Sequence, residues 1–380
     1  MSDASYIEPI DGKLYPLDQP RWCSDERRPL LITPTPGISR DDLETSSKSL
    51  WRYRAALPVD IPNPISMGEG LTPIIQRQWD NYRPFFKLEF LNPTGSFKDR
   101  GTSVMLSYLR QCGIASILED SSGNGGSSVA GYGAAGGIRV KILTPTSTSS
   151  VKIAQARAYG AEIQLVEGPR DASEAEAIRQ SDGTFYASHN WQPFFLEGTK
   201  TQAYEIWEDF GFRAPDNIVI PVGGGSSVLG LHFGFKELLT AGQIARLPRL
   251  FVAQPLNCSP IDASFKAGTD EVVARPVAKT VAEGASIRHP IRLKQIIAAL
   301  RESKGDTVAL SEEEIAAALR KSCRYGLFIE PTSAVASAAF ARLVATAVIR
   351  AEEETVVMLS GTGLKAASTV IDLVQTPPTP

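Results

Sequence analysis

From Pro84 onward, short apolar runs alternate with stretches in which apolar residues recur every three or four positions. The runs are short and apolar, and read as strands of parallel sheets covered by helices. FFKLEF (85–90), ASILED (115–120), RVKILTP (139–145), EIQLVEG (162–168) and TFYASHN (184–190) are the first of these. DNIVIPVGGG (216–225), RLFVAQP (249–255) and ETVVMLSGTG (354–363) follow. Helical periods fill the gaps: SFKDRGTSVMLSYLRQCG (96–113), SSVAGYGAAGG (127–137), SSVKIAQARAYGA (149–161) and DASEAEAIRQSDG (171–183). Further on come GTKTQAYEIWEDFG (198–211), SVLGLHFGFKELLTAG (227–242), SEEEIAAALRKSCRYG (311–326) and SAVASAAFARLVATAVIR (333–350). Ser311 ahead of three glutamates is a serine N-cap with an acidic first turn. This alternation predicts an α/β fold of mostly parallel sheets flanked by helices. The first 65 or so residues are rich in proline and lack a sustained period, apart from one short helix expected in SLWRYRAALP (49–58). The end, VQTPPTP, predicts a flexible tail.

Bulk properties narrow the possible partners. The chain has 380 residues, enough for two domains, with 43% apolar and 21% charged residues. A formal charge of −3, with no stripe of lysine and arginine, argues against nucleic acid. No apolar run approaches a membrane span, and the polar start MSDASYIEPIDG lacks a signal-peptide core. Cys23, Cys112, Cys258 and Cys323 are scattered, as are His189, His232 and His289. Such spacing fits reduced thiols in a cytoplasmic protein, with no metal site expected.

Three strand-to-helix junctions are rich in glycine, and ligands in open α/β sheets sit at such junctions. IPVGGGSS (220–227) lets the N–H groups of Gly223, Gly224, Gly225, Ser226 and Ser227 converge on a phosphate, or else is a plain tight turn. It is neither a P-loop nor a G-x-G-x-x-G fingerprint. SSGNGGSS (121–128) offers Asn124 as a left-handed turn residue or as an amide for a planar ligand. SGTGLK (360–365) adds the hydroxyls of Ser360 and Thr362. In LNPTGSFKDRG (91–101), Lys98 opens a helix, where the helix dipole disfavours a cation by a few tenths of a kcal/mol. A lysine amine, a phosphate cradle and groups for a planar ring together suit pyridoxal phosphate, which links to lysine as a Schiff base.

These stretches resemble threonine synthases, within the fold-type II pyridoxal-phosphate enzymes that include tryptophan synthase β. GEGLTP (68–73), PTGSFKDRG, SSGN, LEGTKTQAYEI (196–206), PVGGGSS, EPTSAVASAA (330–339) and SGTGLK stand in the order those enzymes show, from about residue 66 to 365. The resemblance implies a large cofactor-binding domain at 66–104 and 200–370 and a small mobile domain at 105–199. It also implies an extension at 1–65 and leaves 371–380 as the tail. YPLDQPRWCSDERRPLLI (15–32) looks like a decayed zinc-ribbon lead-in in which only Cys23 remains. By the same resemblance, Lys98 holds the cofactor and shuttles protons, Asn124 hydrogen-bonds the pyridine 3′-oxygen, and 223–227 bind the phosphate. Ser360 faces the pyridine nitrogen, with Thr362 as its rival, while Ser121, Ser122 and Gly123 seat the substrate carboxylate. Phe97 and Asp99 read as packing and capping residues around Lys98. A small amino-acid substrate and a homodimer are implied.

The chain departs from the family where a substrate phosphate is to be gripped. The family's N-P-Y-R is Gln192, Pro193, Phe194 and Phe195 here, and PTSTSS (145–150) lacks the usual lysine. Losing a guanidinium removes charge-assisted hydrogen bonds of roughly 1.5–3 kcal/mol each. Thr146, Ser147, Thr148, Ser149 and Ser150 remain as hydroxyl donors, and Lys200 is common to the group. Two enzyme readings follow. One is a threonine synthase-like lyase acting on O-phosphohomoserine or a related amino acid. The other is a β-eliminating serine or threonine dehydratase. A non-catalytic binding protein is the third reading, and retention of Lys98 speaks against it.

Overall fold

The computed structural model describes residues 4–121, 123–148, 150–168 and 170–375. They divide into two compact units. The first comprises residues 1–71, 92–94 and 98–201, so the stretch expected as an extension at 1–65 clusters with it. The second comprises residues 72–91, 95–97 and 202–380.

The first unit holds a four-stranded parallel sheet in the order Glu162–Val166, Arg139–Pro145, Ser116–Glu119, Phe185–Tyr186. The Lys98–Gln111 and Asn124–Gly136 helices each bury an almost unbroken run of residues. Small residues permit this in the second of them, because no side chain holds its neighbours off. A three-stranded antiparallel sheet of Leu14–Tyr15, Tyr6–Ile7 and Leu31–Ile32 completes the unit. Two-residue strands leave no periodicity to read, so this sheet was not foreseen. SLWRYRAALP forms a 3₁₀ helix, Leu50–Ala56, kinked at Tyr53.

Tyrosine and phenylalanine close the core of the first unit. Phe194 stacks on Tyr108 with ring centroids 3.7 Å apart and meets Tyr6 edge-on at 6.0 Å. The two phenols lie 2.7 Å apart, and Tyr108 donates to the Leu17 carbonyl at 2.8 Å. A second buried centre is Glu69, which accepts from Tyr132 Oη (2.7 Å), Ser103 Oγ (2.7 Å) and Trp51 Nε1 (3.1 Å). With Met67 N–H on Oε2 at 2.8 Å, four donors offset the cost of burying that carboxylate.

The second unit holds a six-stranded sheet ordered Asp306–Leu310, Arg249–Pro255, Asn217–Pro221, Thr355–Met358, Phe85–Lys87, Ile74–Gln76. All neighbours are parallel except the edge pair Ile74–Gln76 with Phe85–Lys87. Asn217–Pro221, in the interior of the sheet, is buried at every residue, as its unbroken apolar run predicts. The Glu312–Arg324 helix starts on a capping box, with Ser311 N–H on Glu314 Oε2 at 2.9 Å and Glu314 N–H on Ser311 Oγ at 3.3 Å. Its buried residues Ile315, Ala318, Leu319 and Ser322 fall on one face. The Leu293–Glu302 helix, the Pro260–Lys266 helix and strand Asp306–Leu310 were not foreseen, although Leu293, Ile296, Ile297 and Leu300 recur at helical spacing. The Ala367–Gln375 helix runs into the expected tail, of which 376–380 lie outside the described residues. Among the described residues no helix is long and apolar enough to cross a membrane.

Phe194→Ala removes both ring contacts from a fully buried position. It is expected to lower the unfolding free energy by about 3–5 kcal/mol in urea titration. A loss below about 1 kcal/mol would mean the site collapses around the missing ring.

Candidate active site

In the first unit, the local chemistry starts from Asp99. This buried carboxylate accepts from Thr94 N–H (2.6 Å), Thr94 Oγ1 (2.5 Å) and Ser128 Oγ (2.7 Å). It therefore ties the turn before Lys98 to the start of the Lys98–Gln111 helix and to the Asn124–Gly136 helix. Lys98, the first residue of its helix, carries Nζ 5.4 Å from the centre of the Phe195 ring. Phe195 is fully buried, and its ring lies 5.8 Å from that of His189.

His189 is held by a partner that sequence reading passed over. Glu119, the last residue of strand Ser116–Glu119, places Oε1 2.7 Å from His189 Nδ1 and accepts the His189 N–H on Oε2 at 3.2 Å. Burial pushes the Glu119 carboxyl up to about 8, against the opposing pull of its hydrogen bond from His189 and of Lys98 and Arg170. Burial, helped by the positive charges of Lys98 and Arg170, holds the His189 ring well below its usual range. Both partners are thus driven toward their neutral forms, and one proton serves the contact between them. Asp120 beside it is also raised by burial and by its neighbour Glu119, and it accepts from Tyr186 Oη (2.9 Å) and Ser188 Oγ (3.2 Å). The signal in the sequence was the pair Glu119–Asp120 closing a strand just before SSGN.

The SSGN turn sits against this pair. Ser121 Oγ accepts weakly from Gly123 N–H at 3.4 Å, and Gly123 is the N-cap of the helix that Asn124 opens. A Cβ on Gly125 would come within 2.8 Å of His189 Nδ1, so the helix reaches the imidazole only because that residue is glycine. Ser122, expected at the substrate carboxylate, lies outside the described residues, as does Ser149.

In the second unit, strand Asn217–Pro221 leads through Gly223–Gly225 into the Ser226–Thr240 helix. Gly225 adopts φ +97°, and a Cβ there would stand 2.2 Å from Ile296 Cδ1. On Gly223 a Cβ would stand 2.7 Å from the Gly284 carbonyl. Gly223 and Gly225 are therefore closed to side chains. Leu229 N–H returns to the Gly225 carbonyl at 3.0 Å, and the N–H groups ahead of it form the helix start that suits an anion. Ser227 Oγ donates to Gln202 Oε1 (2.9 Å), whose Nε2 donates to Glu89 (3.0 Å), so this hydroxyl braces the turn.

Ser360 lies at the end of the Thr355–Met358 strand, its Oγ 3.1 Å from Ser333 Oγ. Its carbonyl accepts Phe97 N–H at 3.0 Å. The rival Thr362 uses its hydroxyl to cap Leu364 N–H at 3.3 Å. Lys98, Ser121, Gly123 and Asn124 thus belong to the first unit, and Gly223, Gly224, Gly225, Ser226, Ser227 and Ser360 to the second. The residues present fit pyridoxal phosphate: an amine, a side-chain-free turn at a helix start for phosphate, and a buried hydroxyl for a ring nitrogen.

Comparison with known proteins points the same way. A family model described as pyridoxal-phosphate dependent enzyme matches residues 65–361. The threonine synthase of Methanosarcina acetivorans is 33% identical over 349 residues, covering 90% of this chain and 86% of its own. That of Methanocaldococcus jannaschii is 31% identical over 338 residues, covering 86% and 83%. Among solved structures, the processed form of threonine deaminase isoform 2 from Solanum lycopersicum superposes with a TM-score of 0.68 at 24% identity, covering 80% of this chain and 82% of that one. An L-serine ammonia-lyase from Rhizomucor miehei gives a TM-score of 0.70 at 18% identity, covering 80% and 97%.

A raised carboxyl pKa means that the folded state keeps a proton which the unfolded chain releases, so Glu119 costs stability as pH rises from about 4.5 through about 8. Glu119→Gln is expected to remove that slope, with the wild-type urea midpoint falling relative to the variant across the interval. Parallel profiles would show that Glu119 is ionised in the fold.

Proposed function

The chain belongs to the pyridoxal-phosphate-dependent enzymes of fold type II, and from that premise we propose a threonine synthase-like lyase that expels the γ-substituent of O-phosphohomoserine or a related amino acid and adds water or another nucleophile. The observation that carries this reading is the likeness to threonine synthases over most of the chain, together with Lys98 at the head of its helix. For O-phosphohomoserine the balance is simple: substrate and water give threonine and phosphate. When bound, pyridoxal phosphate supplies an electron sink that acidifies the Cα–H of an amino acid.

The remaining work falls to this chain's own residues. Lys98 anchors the cofactor and, once released from it, takes and returns protons at Cα and beyond. The turn 223–227 holds the phosphate through main-chain N–H groups. Asn124 donates to the ring oxygen. Ser121, Ser122 and Gly123 seat the substrate carboxylate. Ser360 would offer the ring nitrogen a hydroxyl rather than a carboxylate, a partner that would suit elimination chemistry.

Purified protein is expected to be yellow and to fix its chromophore on borohydride treatment, with Lys98→Ala abolishing the fixation. A colourless preparation that takes up no pyridoxal phosphate would sink the lysine assignment. Gly225→Ala puts a Cβ into the left-handed region, a strain of about 1–3 kcal/mol, and is expected to weaken cofactor retention at least about tenfold in equilibrium dialysis. Incubation with O-phosphohomoserine, homoserine, serine and threonine then identifies the reaction. Threonine formed from a homoserine compound supports the synthase-like reading. Ammonia from serine or threonine alone assigns β-elimination instead.

A further inference from the structure

Beside Lys98 stands a buried group for which the reaction above has no use. Glu119 engages His189 with both carboxylate oxygens, one on the ring and one on the backbone N–H. The imidazole is thereby fixed in orientation, and Nε2 is its remaining nitrogen. Phe195 forms a wall common to the two groups, 5.4 Å from Lys98 Nζ and 5.8 Å from the His189 ring. Gly125, next to Asn124, leaves the space that the imidazole occupies. We propose that His189, oriented by Glu119, is the specificity-determining residue beside Lys98, and that it selects an amino acid whose side chain ends in an uncharged hydrogen-bonding group, such as a hydroxyl, over one that ends in phosphate. This rests on the lyase reading and narrows its substrate.

Charge balance supports the choice. The groups whose charge reaches His189 are Lys98, Arg170 and Asp120, besides its partner Glu119. Asp120 in turn lies within reach of Glu119, Arg170 and Tyr186, and Glu174 adds a further carboxyl near Asp120 and Arg170. Lys98 is committed to the cofactor. A phosphate ester would bring up to two negative charges into a buried setting that already drives Glu119 and His189 toward their neutral forms, and among the groups just named Arg170 alone is a cation not committed to the cofactor. A hydroxyl asks only for one donor or acceptor, and a single imidazole nitrogen supplies it. Glu119 also decides which: a carboxylate that accepts a hydrogen bond from Nδ1–H leaves Nε2 an acceptor, whereas a protonated Glu119 that donates to Nδ1 leaves Nε2 a donor.

Calorimetric titration of the holoenzyme with L-homoserine and with O-phospho-L-homoserine tests this through the ratio of the two affinities, which partial unfolding of a variant does not alter. Wild type is expected to favour L-homoserine at least about tenfold. His189→Ala is expected to bring the ratio to near one, and His189→Gln, which returns an amide, to restore part of it. Glu119→Gln is expected to lie between. Where His189→Ala fails to load cofactor, the Glu119→Gln ratio decides. Tighter binding of the phosphorylated compound, a ratio unchanged in the variants, or no binding of either compound overturns the proposal. Product assays judge the lyase reading separately. Selective binding without threonine or ammonia release sinks that reading and leaves His189 in place, whereas threonine made preferentially from the phosphorylated substrate does the reverse.

Discussion

A cation at the first position of a helix faces the positive end of the peptide dipoles, so something must hold Lys98 there. Asp99 does so, with its buried carboxylate drawing Thr94 and Ser128 onto one point. Hydrogen bonds to a charged group contribute about 1.5–3 kcal/mol each, several times the dipole penalty. Because Thr94 precedes the lysine and Ser128 lies on the next helix, the same carboxylate sets the lysine and the Asn124 turn in one frame. The geometry of the first unit follows from that frame.

The second unit solves the complementary problem of presenting N–H groups to an anion without a side chain in the way. Gly225 at positive φ, backed by Ile296, and Gly223, backed by the Gly284 carbonyl, leave no room for a Cβ. The chain of hydrogen bonds from Ser227 through Gln202 to Glu89 then braces the turn from behind. Rigid turns of this kind bind anions with little reorganisation, which is why they suit a cofactor that stays bound through many turnovers.

Much of this was legible in the chain. RVKILTP and RLFVAQP occupy the expected residues as strands because their apolar centres, Ile142 and Leu143 in one and Leu250, Phe251, Val252 and Ala253 in the other, are buried. SEEEIAAALRKSCRYG began at its serine because the capping box is local chemistry. The helix expected from Gly198 starts at Pro193, since proline favours a first helical turn and Phe194 and Phe195 pack as part of it. The N-terminal sheet left no trace, its strands being too short to carry a period.

Residue types and order determined the candidate lysine, the glycine turns and the family, because those depend on local backbone needs and on motifs in sequence. Where each candidate hydroxyl is engaged was decided only by tertiary structure: Thr362 accepts Leu364 N–H, and Ser360 pairs with Ser333. The pairing of Glu119 with His189 was likewise invisible, because the two are 70 residues apart and meet only when strand Ser116–Glu119 is laid in its sheet. Burial then changes their protonation, and burial is a property of the packed molecule that no local stretch of chain encodes.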